Sequence, residues 1–535
     1  MIPCLTSKSS LHTFFFLQLL PLTTFFLLAI FSQPYKVYDY YFNPDSLYLA
    51  TLYESLFIDG NSLFTNYLNP SLLLIPDVVI FFLLRFLTGD VIVASFFFSI
   101  IQHLFIFVGI LFIFKIIKIH NHTLIAGFSG LLFMFFFLGA IFSGDIIFAA
   151  FSLVSTNHTG AFVTALFSVA LLLQYLQKPV KTRLFWLIIL VIFSSLSDKL
   201  FILMFAIPVL IILSHNFWVK RENKFLITIV SVVAGVLSSI LLQIYIDGRF
   251  VNIQKLPGVF QIERIAPAFV VMMRDLGNYL MAGDSHTLII VLSLVSLAAH
   301  LFLSIRFLKR KKVLAPSEFY LIFSTLVIIL LFWMPVTTGN YVAKHILRYN
   351  IGAFYLAILN LPLVTVLIIN EFNFHSFRNN KMPELLYSAI FVTMLIISTI
   401  NINKTGVRNF FDYYPDFVRE LDEISEKEEL LNGVAHFWNA KPITVFSKQA
   451  MKVYHTFDPF VPYYHVTSKM YYIGENQVFN FALISNFSDK TGYLQYLNHE
   501  GRKVKNGNTE VLILPPFKFD KYTGLPYFIE QQHSE

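Results

Sequence analysis

Residues 38–55 read YDYYFNPDSLYLATLYES. The stretch follows an apolar run, Leu11–Phe31, and opens an amphipathic segment. A carboxylate at the mouth of a bilayer is costly to desolvate, so Asp39 and Asp45 are candidate functional groups. The competing reading is an ordinary polar loop.

Around that stretch the chain reads as membrane. It has 535 residues, of which 56% are hydrophobic, 17% aromatic and only 13% charged. A soluble protein of this length needs more polar surface. Apolar runs cover about 11–31, 92–114, 123–142, 159–176, 184–196, 199–213, 225–245, 287–305, 319–336, 349–369 and 384–400. The expected fold is therefore a polytopic α-helical membrane protein with about eleven transmembrane helices. Residues 184–213 form either one long tilted helix or a hairpin broken at Ser194–Asp198. Residues 70–88 are apolar too, but Pro70, Pro76, Asp77 and Arg85 point to a helix lying on the membrane. Ser32-Gln33-Pro34 is a poor cleavage site, so the first run reads as a retained span. The single cysteine, Cys4, excludes an internal disulfide and a cysteine-based metal site.

The net charge of +7 gives no nucleic-acid signal, because the basic residues gather in short loops between spans. With the N-terminus inside and 70–88 not spanning, the inside loops receive Lys115/Lys118, Lys178/Lys181/Arg183, Lys220/Arg221/Lys224, Arg306/Lys309/Arg310/Lys311/Lys312 and Arg378/Lys381. If 70–88 spanned, every later loop would change side and the bias would invert. The bias predicts an integral membrane protein with a cytoplasmic N-terminus and the C-terminus outside.

The chain divides into a membrane domain, 1–400, and a C-terminal domain, 401–535, on the outer side. Residues 32–90 supply the acidic first outer loop and interfacial helices. The C-terminal segment is richer in Asp, Glu, Lys and Asn, and is about the size of a small domain. Asp416–Leu431 has Val418, Leu421, Ile424 and Leu431 near one face, and Gly433 follows as a stop. Ile443–Ser447, Val478–Ser485 and Val511–Leu514 read as strands, so an α/β or α+β domain is expected.

Under this topology the polar residues converge on the outer face: Asp39, Asp45, Asp145, His158, Asp198, Lys199, Lys344, His345, Arg348 and Tyr349. His158 could simply cap the following span. Asp198 and Lys199 could be a local ion pair closing a hairpin. Lys344 and Arg348, four apart, share a face on an α-helix. They could snorkel to headgroups. Yet they lie where the positive-inside bias depletes cations, which points to an anionic ligand such as a lipid phosphate. No nucleotide-binding glycine loop, zincin helix or nucleophile elbow is present.

The arrangement resembles the C-type (GT-C) membrane glycosyltransferases. The likeness lies in one span followed by an acidic outer loop with Asp39 and Asp45, membrane-parallel helices at about 46–58 and 70–88, many spans and a C-terminal extracytoplasmic domain. PDSLYLATLYESLF and SDKLF are the local likenesses. The chain lacks the WWDYG-type signature of oligosaccharyltransferases and the adjacent Asp-Glu pair of protein O-mannosyltransferases. The resemblance implies a polyprenyl-phosphate or pyrophosphate sugar as donor, and an envelope glycan, lipid or protein as acceptor. Asp45 would be the base, with Asp39 in reserve, and Lys344 and Arg348 would stabilise the leaving phosphate. His158, Asp198, Lys199 and Tyr349 would line the substrate site. Such a displacement inverts the anomeric centre. It requires no metal, although an unpaired buried Asp could recruit Mg²⁺ or Mn²⁺.

Two other functions compete. A lipid or sugar transporter would carry charges near mid-membrane and paired discontinuous helices; the spans are largely free of ionisable groups, and no halves match. A non-catalytic assembly protein would work through the C-terminal domain. There Tyr463, Tyr464, Tyr471 and Tyr472 form either a carbohydrate surface or its core.

Overall fold

The structure is a computed structural model, describing residues 35–142, 148, 153–253, 260–372, 389–393, 396–397, 399–400, 410–449, 451–457, 460–474, 477–485 and 501–529. Three short helices come first: α1 (Tyr35–Tyr41), α2 (Tyr48–Tyr53) and α3 (Val79–Thr88). The bundle follows as α4 (Val91–Ile116), α5 (His122–Phe142), α6 (Thr159–Gln177), α7 (Lys181–Ser197), α8 (Ile202–Lys220) and α9 (Asn223–Ile246). It continues with α10 (Ile265–Met281), α11 (Ser285–Leu308), α12 (Pro316–Thr337), α13 (Ile351–Leu359) and α14 (Leu361–Glu371).

The expectation of about eleven spans is overturned. Among the described residues seven helices are long and apolar enough to cross a membrane, and eight if the pair Ile346–Leu359 and Leu361–Glu371, bent by 44°, is one span. An apolar run does not fix the length of the helix that contains it. The run 184–196 lies in α7, which opens on Lys181, ends before Asp198 and has 17 residues. At about 25 Å it is too short to be counted with the seven, although it returns from the Lys178–Arg183 turn to the Asp198 end, where His158 precedes α6. Residues 184–213 are not one helix: the chain breaks at Asp198, and the second helix runs on to Lys220 as α8. The run 11–31 lies outside the described residues, as do eight of the seventeen residues of 384–400, Cys4, Asp145, Arg378 and Lys381. The bend after α13 follows from Pro362, which has no N–H to donate, and from Asn360. Buried Asn360 turns its side chain to the Tyr320 hydroxyl and Ser324 Oγ, both at 3.0 Å.

Residues 70–88 do not make a span. A left-handed Leu73 precedes the turn Leu74–Val78, and α3 has only 10 residues. Val79, Leu83, Phe86 and Leu87 are exposed at one-face spacing while Phe81 is buried, the pattern of a helix lying on an apolar surface. Arg85 returns to the first loop, 3.7 Å from Glu54 and over the Tyr53 ring.

The C-terminal domain holds α15 (Asp416–Glu428), α16 (Phe437–Phe446) and α17 (Met470–Ile473) around a sheet. After the small pair β1 (Tyr67–Leu68) and β2 (Asn252–Ile253), its strands are β3 (Asn432–Ala435), β4 (Val453–Phe457), β5 (Val461–Pro462), β6 (Phe479–Leu483), β7 (Arg502–Asn506), β8 (Thr509–Phe519) and β9 (Pro526–Phe528). The order is β5-β4-β3-β6-β8-β7, with β9 on β8. β3 pairs parallel with both β4 and β6, whereas β6, β7 and β9 all run antiparallel to β8. α15 and α16 pack Val418, Leu421, Ile424 and Ile443 on one face, and Tyr472 of α17 packs on the other.

Two local expectations fail here. Ile443–Ser447 was expected as a strand, but 443–446 end α16 and Ser447 is its C-cap. Parallel neighbours need a crossover running the other way, and α16 is that crossover between β3 and β4. Gly433 does not stop the helix, which ends at Glu429 in a left-handed conformation. Gly433 sits in β3, where a Cβ would lie 2.2 Å from the Phe481 ring.

The helix contacts yield a paired test. A Cβ on Gly235 of α9 would lie 2.9 Å from Val191 Cγ1 of α7, whereas one on Gly277 of α10 meets nothing within 4 Å. Gly235→Ala should destabilise the purified protein by roughly 1–3 kcal/mol. Gly277→Ala should stabilise it by roughly 0.5–1 kcal/mol. Thermal unfolding in one detergent checks both signs.

Candidate functional site

The site grows from the turn Asn43–Ser46. Pro44 presets the backbone, and Asn43 Oδ1 accepts from Ser46 N at 3.0 Å, closing an Asx-type turn between α1 and α2. Distant parts of the chain then grip this turn. Thr156 Oγ1 donates to the Asp45 carbonyl at 2.8 Å, and Ser155 Oγ donates to the Ser46 carbonyl at 3.1 Å. Arg348 Nη1 donates to Asp45 Oδ2 at 3.0 Å. Lys441, on α16 of the C-terminal domain, donates to the Pro44 carbonyl at 3.4 Å. Both side chains of the Asp45–Arg348 pair are about one-third exposed (33% and 30%), so the pair contributes about 1 kcal/mol at most. Its importance is geometric.

Arg348 and Tyr349 lie in the 3₁₀ turn Lys344–Asn350. The next residue, Asn350, anchors them. Pro335 inside α12 leaves the Leu331 carbonyl without its helical donor, and Asn350 Nδ2 donates to Leu331 O and Phe332 O at 3.2 and 2.7 Å. The 3₁₀ geometry also corrects the spacing argument. At three residues per turn, positions four apart are rotated by about 120°, so Lys344 and Arg348 do not share a face.

From Arg348 the contacts continue inward. The guanidinium lies over the Tyr349 ring at 5.2 Å, and the Tyr349 ring lies 5.1 Å from His158. His158 Nδ1 meets Asp198 Oδ2 at 2.5 Å. His158 is held in a left-handed conformation (φ 65°) just before α6, which turns its ring back toward Asp198. Asp198 is 3% exposed, and its other oxygen accepts from Leu200 N at 3.0 Å. Asp45, Arg348, Tyr349, His158 and Asp198 thus form one contiguous chain of contacts.

The remaining expected residues stand apart from that chain. Lys199 is exposed and Asp198 turns to His158, so the two are not the local ion pair considered above. Asp39 is exposed and accepts from the Tyr413 hydroxyl at 2.6 Å. Tyr471 and Tyr472 pack inside the domain, while Tyr464 stacks on Tyr67 of the first loop, with centroids 5.2 Å apart.

The sequence reading passed over several groups. Asp77 is 3% exposed, and Gly160 makes its place: a Cβ there would lie 2.0 Å from Asp77 Oδ2. Burial first, then the neighbouring Asp198 charge, push the Asp77 carboxyl up to about 7. Two adjacent carboxylates cannot both ionise cheaply, and it is the Asp77 carboxyl whose ionisation is opposed here. Lys441 is 5% exposed, and burial pushes its ammonium down to about 7, against the opposing pull of Asp45. One legible signal was a charge inside an apolar stretch, IPDVVIFF for Asp77 and FWNAKPITVF for Lys441.

Comparison with protein-family models, with curated proteins and with solved structures finds no match to this chain. Among the described residues no three His, Cys, Asp or Glu side chains converge as a metal site.

The Asp77 environment sets a pH dependence. Its folded pKa of about 7 lies above the ordinary carboxylate value, so its contribution to stability is lost as pH rises through 7. Asp77→Asn removes the ionisation. The variant should gain stability relative to the parent by about 2 kcal/mol between pH 5 and pH 8. Melting curves at the two pH values test this; a constant difference would mean that Asp77 is already ionised.

Proposed function

We propose that this chain is a membrane glycosyltransferase of the C-type, taking a sugar from a polyprenyl-phosphate-type lipid at the outer face of the membrane. The observation that carries the reading is the Asp45–Arg348 pair. A carboxylate and a guanidinium 303 residues apart meet on a pinned turn beside the C-terminal domain. That is what base-assisted displacement of a phosphate requires.

The acceptor hydroxyl gives its proton to the Asp45 carboxylate as its oxygen bonds to the anomeric carbon. The bond from that carbon to the phosphate oxygen breaks, and the electron pair leaves on the phosphate. One displacement inverts the centre. Arg348 stabilises the departing charge through its fork. A donor phosphate that takes the guanidinium also releases Asp45 to act as base. Tyr349, His158 and Asp198 hold Arg348 from behind. Asp45 already faces Arg348 and Asp198 already faces His158, so no step is routed through a divalent cation. The acceptor is an envelope glycan, lipid or protein.

The basic turns support an orientation with the N-terminus in the cytoplasm and the C-terminal domain outside a bacterial plasma membrane. Reporter fusions at Ser317 and after Ile400 should then report opposite sides, with Ser317 cytoplasmic. A cytoplasmic C-terminal domain would remove the outer-face site.

Asp45→Asn should lower sugar transfer from a labelled polyprenyl-phosphate donor roughly 10²–10⁴-fold at normal protein abundance, because the amide cannot take the proton. Arg348→Lys should lower it about tenfold or more, since an ammonium lacks the bidentate fork. Turnover by purified variants in nanodiscs decides. Full activity of Asp45→Asn sinks the assignment of the base.

A further inference from the structure

A polar cleft lies between the first loop and the C-terminal domain, lined by Thr51, Ser55 and Asn66 on one side and by Lys441, Tyr454 and His455 on the other. About 30 Å³ is open to the centre of a water-sized molecule, enough for one small oxyanion and too little for a sugar.

The charges around it are unequally satisfied. Asp59 is held by Lys452 Nζ and by the Tyr471 hydroxyl, both at 2.5 Å, and Glu54 faces Arg85 at 3.7 Å. Lys441 has no carboxylate within ion-pair distance among the described residues, and its 3.4 Å bond to Pro44 O is long. His455 is 2% exposed, and its Nε2 has no hydrogen-bond partner; the buried Tyr454 hydroxyl has none either. Lys441 and His455 share the Phe437 ring, the ammonium 5.4 Å and the imidazole 5.2 Å from its centroid. Buried polar groups are normally paired, and here every open one can donate.

We infer that this cleft is an oxyanion subsite, in which the Lys441 ammonium and the His455 imidazole take a phosphate-type anion. Lys441 reaches the Pro44 carbonyl, one residue before Asp45, so the subsite adjoins the proposed reaction centre from the C-terminal side. Identifying the anion as a donor or acceptor phosphate rests on the glycosyltransferase reading. The binding does not, and it is measured without turnover.

The test is calorimetric titration of inorganic phosphate into the full chain in phosphatidylcholine nanodiscs. Saturable binding is expected, weakened at least about tenfold in Lys441→Gln and in His455→Gln, and retained in Lys441→Arg and Asp45→Asn. Nanodiscs doped with phosphatidic acid separate the sources. Weakened phosphate binding there assigns the subsite to a lipid phosphomonoester, and unchanged binding assigns it to a soluble phosphate. His455→Gln keeps the inference testable if Lys441→Gln does not fold. Absence of saturable binding in the parent chain, or undiminished affinity in both Gln variants, overturns it. Binding that survives while Asp45→Asn remains active in transfer would instead overturn the catalytic reading alone.

Discussion

The Pro44–Asp45 turn is the joint on which the molecule is assembled. Its carbonyls and carboxylate are taken by Thr156, Arg348 and Lys441, which come from the start of α6, the 3₁₀ turn after α12 and the C-terminal domain. None of these contacts is strong alone. Together they fix one backbone segment from several directions, which makes the Asp45 carboxylate reproducible in position. The first loop is tied again further on: β1 pairs with β2, and Asn66 bridges Ser468. The C-terminal domain is therefore built onto the first loop and is not a tethered appendage.

Burial of charge sets the chemistry of this end of the bundle. Asp198 is deep and takes the His158 ring as its partner at 2.5 Å. Asp77 is equally deep, and burial with the neighbouring Asp198 pushes its carboxyl up to about 7. Lys441 is the mirror case, a cation whose burial favours its neutral form. The same low-dielectric surroundings that penalise the Lys441 ammonium would strengthen its hold on a phosphate that enters.

Much of the candidate site was legible. Asp45, His158, Asp198, Arg348 and Tyr349 each stand out as polar residues at the ends of apolar runs, and the fold brings them into contact. The spacing of Lys344 and Arg348 misled, because it assumed α-helical rotation where the chain makes a 3₁₀ turn. Ile443–Ser447 misled because β-branched composition cannot register that a parallel pair needs a helical return. Among the described residues the run 184–196 misled because an apolar run does not reveal the length of its helix, here 17 residues.

What the sequence determined by itself is the class: repeated apolar runs, basic turns and a polar C-terminal quarter leave no alternative to a membrane bundle with an attached domain. Those properties are local and additive, and follow from composition within windows of about twenty residues. Only the tertiary structure decided which charges meet. Asp45 and Arg348, or Pro44 and Lys441, are separated by hundreds of residues, and no local periodicity encodes such a pairing. It also decided which charges stay unpaired. That depends on the shape of the cleft between two domains, and a cleft is a property of packed surfaces.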